Sequence, residues 1–234
     1  MDYLTEGFFN AFILLIQGHD ETYDAIFTTI EVSSFSILIS LILGLPAGFA
    51  LSYYSFPGRK QIRAVVDTLL SLPTVVVGLL VYAFITRKGP LGDYNLLFET
   101  SGIIAGQVIL ILPVVISLSA TGIESLDERL RSTLITLGAG PKRILISTLY
   151  ESRFAVMTAA AAAYGRAISE VGVSMMVGGN IKWHTRTITT AITLETGKGE
   201  FAMGIALGLV LLLVAFGVNI LLNQMKRFMG YGSV

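Results

Sequence analysis

The charges of this chain are bunched, and the long gaps between them decide what it can fold into. Residues 32–58, 68–86, 100–123 and 201–225 contain no Asp, Glu, Lys or Arg. Each gap matches the roughly 20 apolar residues a helix needs to cross a bilayer. Hydrocarbon offers no partner to backbone N–H and C=O groups, so stretches of this length must satisfy them internally, as helices. A fifth stretch, residues 154–177, has the same character but is interrupted by Arg166 and Glu170. The opening stretch, residues 8–16, is too short to cross and is expected at the interface or packed on the bundle. A mean hydropathy of +0.74 with 14% charged residues agrees with a membrane protein and not with a water-soluble domain.

The loop charges orient the spans. Arg59, Lys60, Arg63, Arg129, Arg131, Lys142, Arg143, Arg153, Lys226 and Arg227 fall on one side, and Arg87, Lys88, Lys182, Arg186 and Lys198 on the other. Ten against five predicts an N-terminus outside, a C-terminus inside and five crossings. Asp2 and Glu6, without a basic lead segment, argue against a cleavable signal. Gly44-x-x-x-Gly48, Gly102-x-x-x-Gly106 and Gly204-x-x-x-Gly208 allow close helix approach, within one chain or at a dimer seam. Pro46, Pro73 and Pro113 each lie inside a span and predict kinks.

Several chemistries are excluded by composition. The chain has no cysteine, two histidines (His19 and His184) and a formal net charge of zero, so no disulfide framework, Cys/His metal site or nucleic-acid surface is expected. Thr196-Gly197-Lys198-Gly199 lacks the upstream glycine of a nucleotide-binding loop, and no catalytic residue is assigned. His184 beside Trp183 reads as a surface pair, and Glu31 as a solvated acid near the outer end of the first span.

The polar loop 124–153 is placed in the cytoplasm by the same charge count. Ser125-x-x-Glu128 has the capping-box spacing, and Leu126, Leu130, Leu134 and Leu137 form an apolar stripe. Gly138 then suits a helix end and Pro141 a new helix start, with Ile144, Leu145 and Leu149 as its apolar contacts. Helix, turn, helix is the expectation. From these residues alone, a simple interfacial connector and a docking loop stay equally open.

The loop resembles the coupling loop of ABC importer permeases, whose pattern is E-A-A, three residues, glycine, nine residues, I-x-L-P. Gly138, Ala139 and Pro141 match the glycine and its turn. The E-A-A positions fall on Ser132-Thr133-Leu134 and the I-x-L-P positions on Thr148-Leu149-Tyr150-Glu151, so the glutamate and the proline are missing. Leu72-Pro73-Thr74-Val75-Val76-Val77-Gly78 is similar to the second-span signature of molybdate, tungstate and sulfate permeases. Gly165 to Ile181, with Arg166-Ala167-x-x-Glu170-x-Gly172 and Gly179-Asn180-Ile181, is similar to a second signature of that group, and Thr187-x-x-Thr190-Ala191-Ile192 fits as well. The tungstate branch is the nearest in these motifs.

The resemblance implies an all-α integral membrane permease domain over 1–234. It would have about five transmembrane helices, an N-terminal interfacial segment (1–22) and a coupling loop (124–153). It implies a homodimer in the cell membrane, two ATP-binding cassette subunits that carry ATP and Mg, and an extracytoplasmic substrate-binding protein, with no cofactor on this chain. Leu130, Ser132, Leu134, Leu137, Gly138, Ala139, Gly140, Pro141 and Arg143 would meet the ATPase. Pro73, Thr74, Arg166, Ser169, Glu170 and Ser174 would line or gate the path of a tungstate or related oxyanion such as molybdate.

Arg166 and Glu170 are expected on one helix face from their spacing of four. A charge at the bilayer centre costs about 2.5–3.5 kcal/mol on insertion scales, so neither is expected to face lipid. Two roles stay open: an intrahelical ion pair that locks the span, or a gate. The gate would also serve the competing reading of a secondary transporter or channel. A membrane scaffold is a third reading.

Overall fold

The computed structural model describes residues 2–16, 19–125 and 133–228, and among these every regular element is helical. The helices are α1 (Asp2–Ile16), α2 (Asp20–Tyr53), α3 (Arg59–Leu69), α4 (Thr74–Ile85), α5 (Thr100–Glu124), α6 (Pro141–Glu151), α7 (Arg153–Ile168), α8 (Gly172–Gly178), α9 (Ile188–Gly197) and α10 (Phe201–Phe228). Leu130 and Ser132 of the expected coupling loop, with Leu126 and Glu128, lie outside the described residues.

Three helices, α2, α5 and α10, are long and apolar enough to cross a bilayer unbroken. The other two expected spans are built from pieces. Residues 68–86 do not form one helix: α3 and α4 meet at an angle of 100° across residues 70–73. Pro73 lacks the N–H an interior residue would donate, and its carbonyl instead accepts from Val76 N–H (3.0 Å), opening α4. The fifth stretch breaks after Ile168, and α8 has seven residues, about 10 Å of rise.

The first span also differs from expectation. It begins at Asp20 rather than at residue 32 and ends at Tyr53, giving 34 residues or about 51 Å. Glu31 does not stop it and lies half-buried within the helix. Pro46 and Pro113 lie within continuous helices. The N-terminal segment ends at Ile16, short of residue 22. It packs on α10, with Ala11 and Leu14 buried against Leu207 and Val210, and Tyr3 edge-on to Phe201 at 6.0 Å.

Small residues set the interhelical spacing. A Cβ on Gly44 would lie 2.8 Å from Val115 Cγ1, and one on Gly48 would lie 2.8 Å from the Ile116 carbonyl, so α2 and α5 meet backbone to side chain. Gly106 faces Val173 in the same way. Both motifs therefore serve packing within the chain, whereas Gly208 has open space beside it. Val77, Val81, Ile85, Leu110, Val173 and Val177 bury a common apolar layer between α4, α5 and α8. The two short helices are thus held by neighbours, not by their own length.

Candidate coupling loop and translocation path

The described part of the loop is a helix–turn–helix. Residues 133–136 are helical, and Gly138 takes φ +74°, a left-handed conformation that costs other residues about 1–2 kcal/mol. Gly138 N–H donates to the Ile135 carbonyl and Ala139 N–H to the Leu134 carbonyl, each at 2.9 Å. This is the paired 6→1 and 5→2 arrangement of a Schellman cap. Gly140 then precedes Pro141 at the first turn of α6.

The turn leaves a face uncovered. Leu137 is 76% exposed, and Ile135, Ile146, Leu149 and Tyr150 are also exposed, while Ile144 is buried. Leu134 and Ala139 are half-buried; Gly140, Pro141 and Arg143 are exposed. The helix pair thus turns four large apolar side chains and a tyrosine outward. The Ser125 hydroxyl donates to the Gly122 carbonyl (2.8 Å) at the end of α5; the expected capping box with Glu128 lies outside the described residues. Arg153 starts α7 stacked over Tyr150 and Phe154, at 3.9 and 4.2 Å from the ring centroids.

The second group of expected residues gathers at the break between α7 and α8. Ser169 ends α7, its hydroxyl donating back to the Gly165 carbonyl (2.9 Å). Glu170 lies beyond the helix and is 6% exposed. Its Oε1 accepts Val173 N–H (3.0 Å), and its carbonyl accepts the Thr189 hydroxyl (2.8 Å). The acid is therefore tolerated by capping the positive end of α8, not by its neighbour four residues back.

No ion pair joins Arg166 and Glu170 among the described residues, and the two do not share a helix. The expected intrahelical pair is corrected here: the helix ends between them. Arg166 is half-buried, with its Nε shielded from solvent and no hydrogen-bond partner. Ser174 is fully buried, and its hydroxyl also lacks a partner.

Pro73 and Thr74 sit beside this break. A Cβ on Gly172 would lie 2.8 Å from Thr74 Oγ1 and 2.9 Å from Val75 N, so the starts of α4 and α8 touch. Thr74 thus lies against Gly172, two residues after the buried Glu170, whereas Ser169 is exposed.

Sequence reasoning missed the polar joints between elements. Arg186 holds Glu21 in an ion pair and donates from Nε to Asn180 Oδ1 (3.2 Å), and Lys182 reaches Glu21 at 2.6 Å. His184 pairs with Glu99 at 3.0 Å. Thr187 and Thr190 cap α9 reciprocally, and Thr29 accepts Ile188 N–H. The spacing Thr187-x-x-Thr190 was the one signal available; the other joints bridge residues far apart in the chain.

A multi-pass helical membrane protein with broken spans and an exposed helix–turn–helix loop is the architecture of a transporter's membrane subunit. Residues 40–230 match the family described as "Binding-protein-dependent transport system inner membrane component", and the chain belongs to that family. It is 47% identical to the tungstate uptake system permease protein TupB of Campylobacter jejuni subsp. jejuni serotype O:2, over 97% of this chain and 95% of that one. It is 35% identical to the TupB of Peptoclostridium acidaminophilum, over 97% and 100%. The fold is similar to a chain in the crystal structure of a bacterial alginate ABC transporter in complex with an alginate pentasaccharide-bound periplasmic protein. That match has a TM-score of 0.73 and 18% identity over 92% of this chain and 81% of that one. The chain is thus a transport subunit of the inner membrane, not an enzyme.

Proposed function

We propose that this chain is the permease of an ATP-driven tungstate importer. Its near-full-length identity of 47% to a tungstate permease carries the reading. Two copies would enclose the path, two ATP-binding cassette subunits would dock on the 124–153 loops, and an oxyanion-binding protein would deliver substrate from outside. The basic loops support a cytoplasmic C-terminus and an external N-terminus.

The chain's own contribution follows from its geometry. The exposed face at Leu137, Ile146 and Leu149 meets the ATPase, and nucleotide-driven closure draws the two loops together. The short helices α4 and α8, held at their ends by Thr74, Gly172 and Glu170, are the parts most easily displaced, because neither spans the bilayer. Displacing them would uncover the unspent donors of Arg166 and of the buried Ser174 to a passing dianion.

The test is uptake in vesicles that hold this chain, its ATPase and its binding protein. Labelled tungstate is expected to accumulate only with ATP inside the compartment bearing the ATPase. Accumulation driven by an ion gradient without ATP would overturn the importer reading; preferential accumulation of molybdate would overturn the substrate.

A further inference from the structure

We infer that Arg59, Arg63 and Asp67 are positioning residues that make α3 the transmission element between the 124–153 loop and the break at Glu170. This rests on the importer reading above.

Two ladders face each other across α3 and the end of α5. On α3 they are Arg59, Arg63 and Asp67, spaced by four; on α5 they are Ser117, Thr121 and Glu124. Arg59 Nη2 reaches Glu124 Oε1 at 2.8 Å, and Arg63 Nη2 donates to Thr121 Oγ1 at 2.6 Å and to the Ser117 carbonyl at 3.4 Å. Ser117 Oγ donates to Asp67 Oδ1 at 2.7 Å, while Arg63 Nε holds Asp67 Oδ2 at 3.2 Å. A further pairing brings Arg63 Nη1 to 3.8 Å from Glu124 Oε2. Beneath this polar clamp, Val66 is buried with Leu51 and Ala120.

An isolated surface ion pair holds little, but linked contacts over three turns, with the Arg63 side chain 23% exposed, make α3 and the α5 end one body. The two ends of that body matter. α5 stops at Glu124, the first residue of the loop, so any pull on the loop acts on the clamp. α3 stops at Leu69, turns through 100°, and becomes α4, whose first turn rests on Gly172 beside Glu170. Displacing the loop therefore displaces the start of α4 against the start of α8. An 11-residue connector with only a structural task would need the apolar contact and not both ladders.

The experiment uses the complete transporter in vesicles, with tungstate uptake and ATP hydrolysis measured together. Arg63→Ala and Asp67→Asn are expected to lower tungstate moved per ATP by about tenfold, while hydrolysis without binding protein continues and the melting temperature holds. The chain has no cysteine, so Asp67→Cys with Ser117→Cys introduces the sole thiols of this chain, paired with cysteine-free versions of the other subunits. Unlinked, this double variant should uncouple; joined by a short thiol-to-thiol reagent, it should recover uptake. An unchanged ratio in Arg63→Ala, or a link that blocks uptake, overturns the inference, since α3 and α5 would then not act as one body. Wild-type vesicles without ATP-driven uptake would remove the importer reading itself, and the clamp with it.

Discussion

The loop around Gly138 and the break around Glu170 are both interruptions of helix, yet they are made by opposite means. At Gly138 the turn is written locally: a left-handed glycine, two backbone hydrogen bonds within six residues, and a proline to restart. Among the described residues, no heavy atom beyond its own neighbours comes within 4 Å of a Cβ placed there. At Glu170 the break is made by packing. Its carboxylate caps α8, Thr189 holds its carbonyl, and Thr74 presses on Gly172. A locally written turn can keep its shape with its apolar side chains exposed. A packed break can store two arrangements, because its contacts come from several helices that can shift together.

The difference predicts where substitutions damage stability and where they damage coupling. The largest loss of stability is expected for Gly172→Val. Its side chain would press on Thr74 Oγ1 and on the backbone N of Val75, and the backbone atom cannot move away without opening α4. Overpacking of this kind costs about 1–3 kcal/mol, read as a fall in melting temperature in detergent together with loss of uptake. Wild-type stability for this variant would mean the two helix starts are looser than their contact distances imply.

Glu170→Ala comes next. It strips Val173 N–H of its acceptor inside the bundle, a penalty of about 1–3 kcal/mol for a buried unsatisfied donor, partly relieved by water entering the space. Glu170→Gln keeps an acceptor and should recover most of the stability. If Gln behaved like Ala, the negative charge rather than the cap would be the stabilising feature.

Much of this was legible in the sequence, for physical reasons. The ends of the flanking helices were readable because α5 ends at Glu124 and α7 begins at Arg153, where charge replaces apolar sequence. Gly138 and Pro141 were readable because they are local grammar. The break at residues 169–171 was not: Ser169-Glu170-Val171 contains no glycine or proline, and a spacing of four between Arg166 and Glu170 looks helical. What ends α7 is a carboxylate that prefers the next helix's N–H groups, a choice visible only once α8, α9 and α4 are assembled around it. The clamp on α3 escaped for the same reason: Arg63 meets Thr121 across 58 positions, and its basic residues were informative in the sequence only as topology signals.

The loop should answer differently from the break. Gly138→Val forces a β-branched residue to φ +74°, about 1–2 kcal/mol of local strain. Because this strain falls in an open turn, the bundle's melting temperature should move less than with Gly172→Val. Tungstate-stimulated ATP hydrolysis should nevertheless fall, since the turn sets the angle between residues 133–136 and α6. Undiminished stimulation would argue against the turn as a docking element.

The smallest stability effect belongs to Leu137→Ser, and it sharpens the comparison most. Leu137 is 76% exposed, so removing it takes almost no buried area from the isolated chain, and the melting temperature should stay within the ±0.5 kcal/mol typical of surface changes. If the side chain is buried against the ATPase, the same substitution deletes one apolar anchor of that interface, and truncating such an anchor commonly costs more than 1 kcal/mol of binding. Affinity for the ATPase should then fall about tenfold with no change in the permease's own stability. The measurement is titration of the purified ATPase onto the detergent-solubilised permease. Equal affinity for wild type and variant would move the docking face away from the Gly138 turn, toward Ile146 and Leu149 on α6.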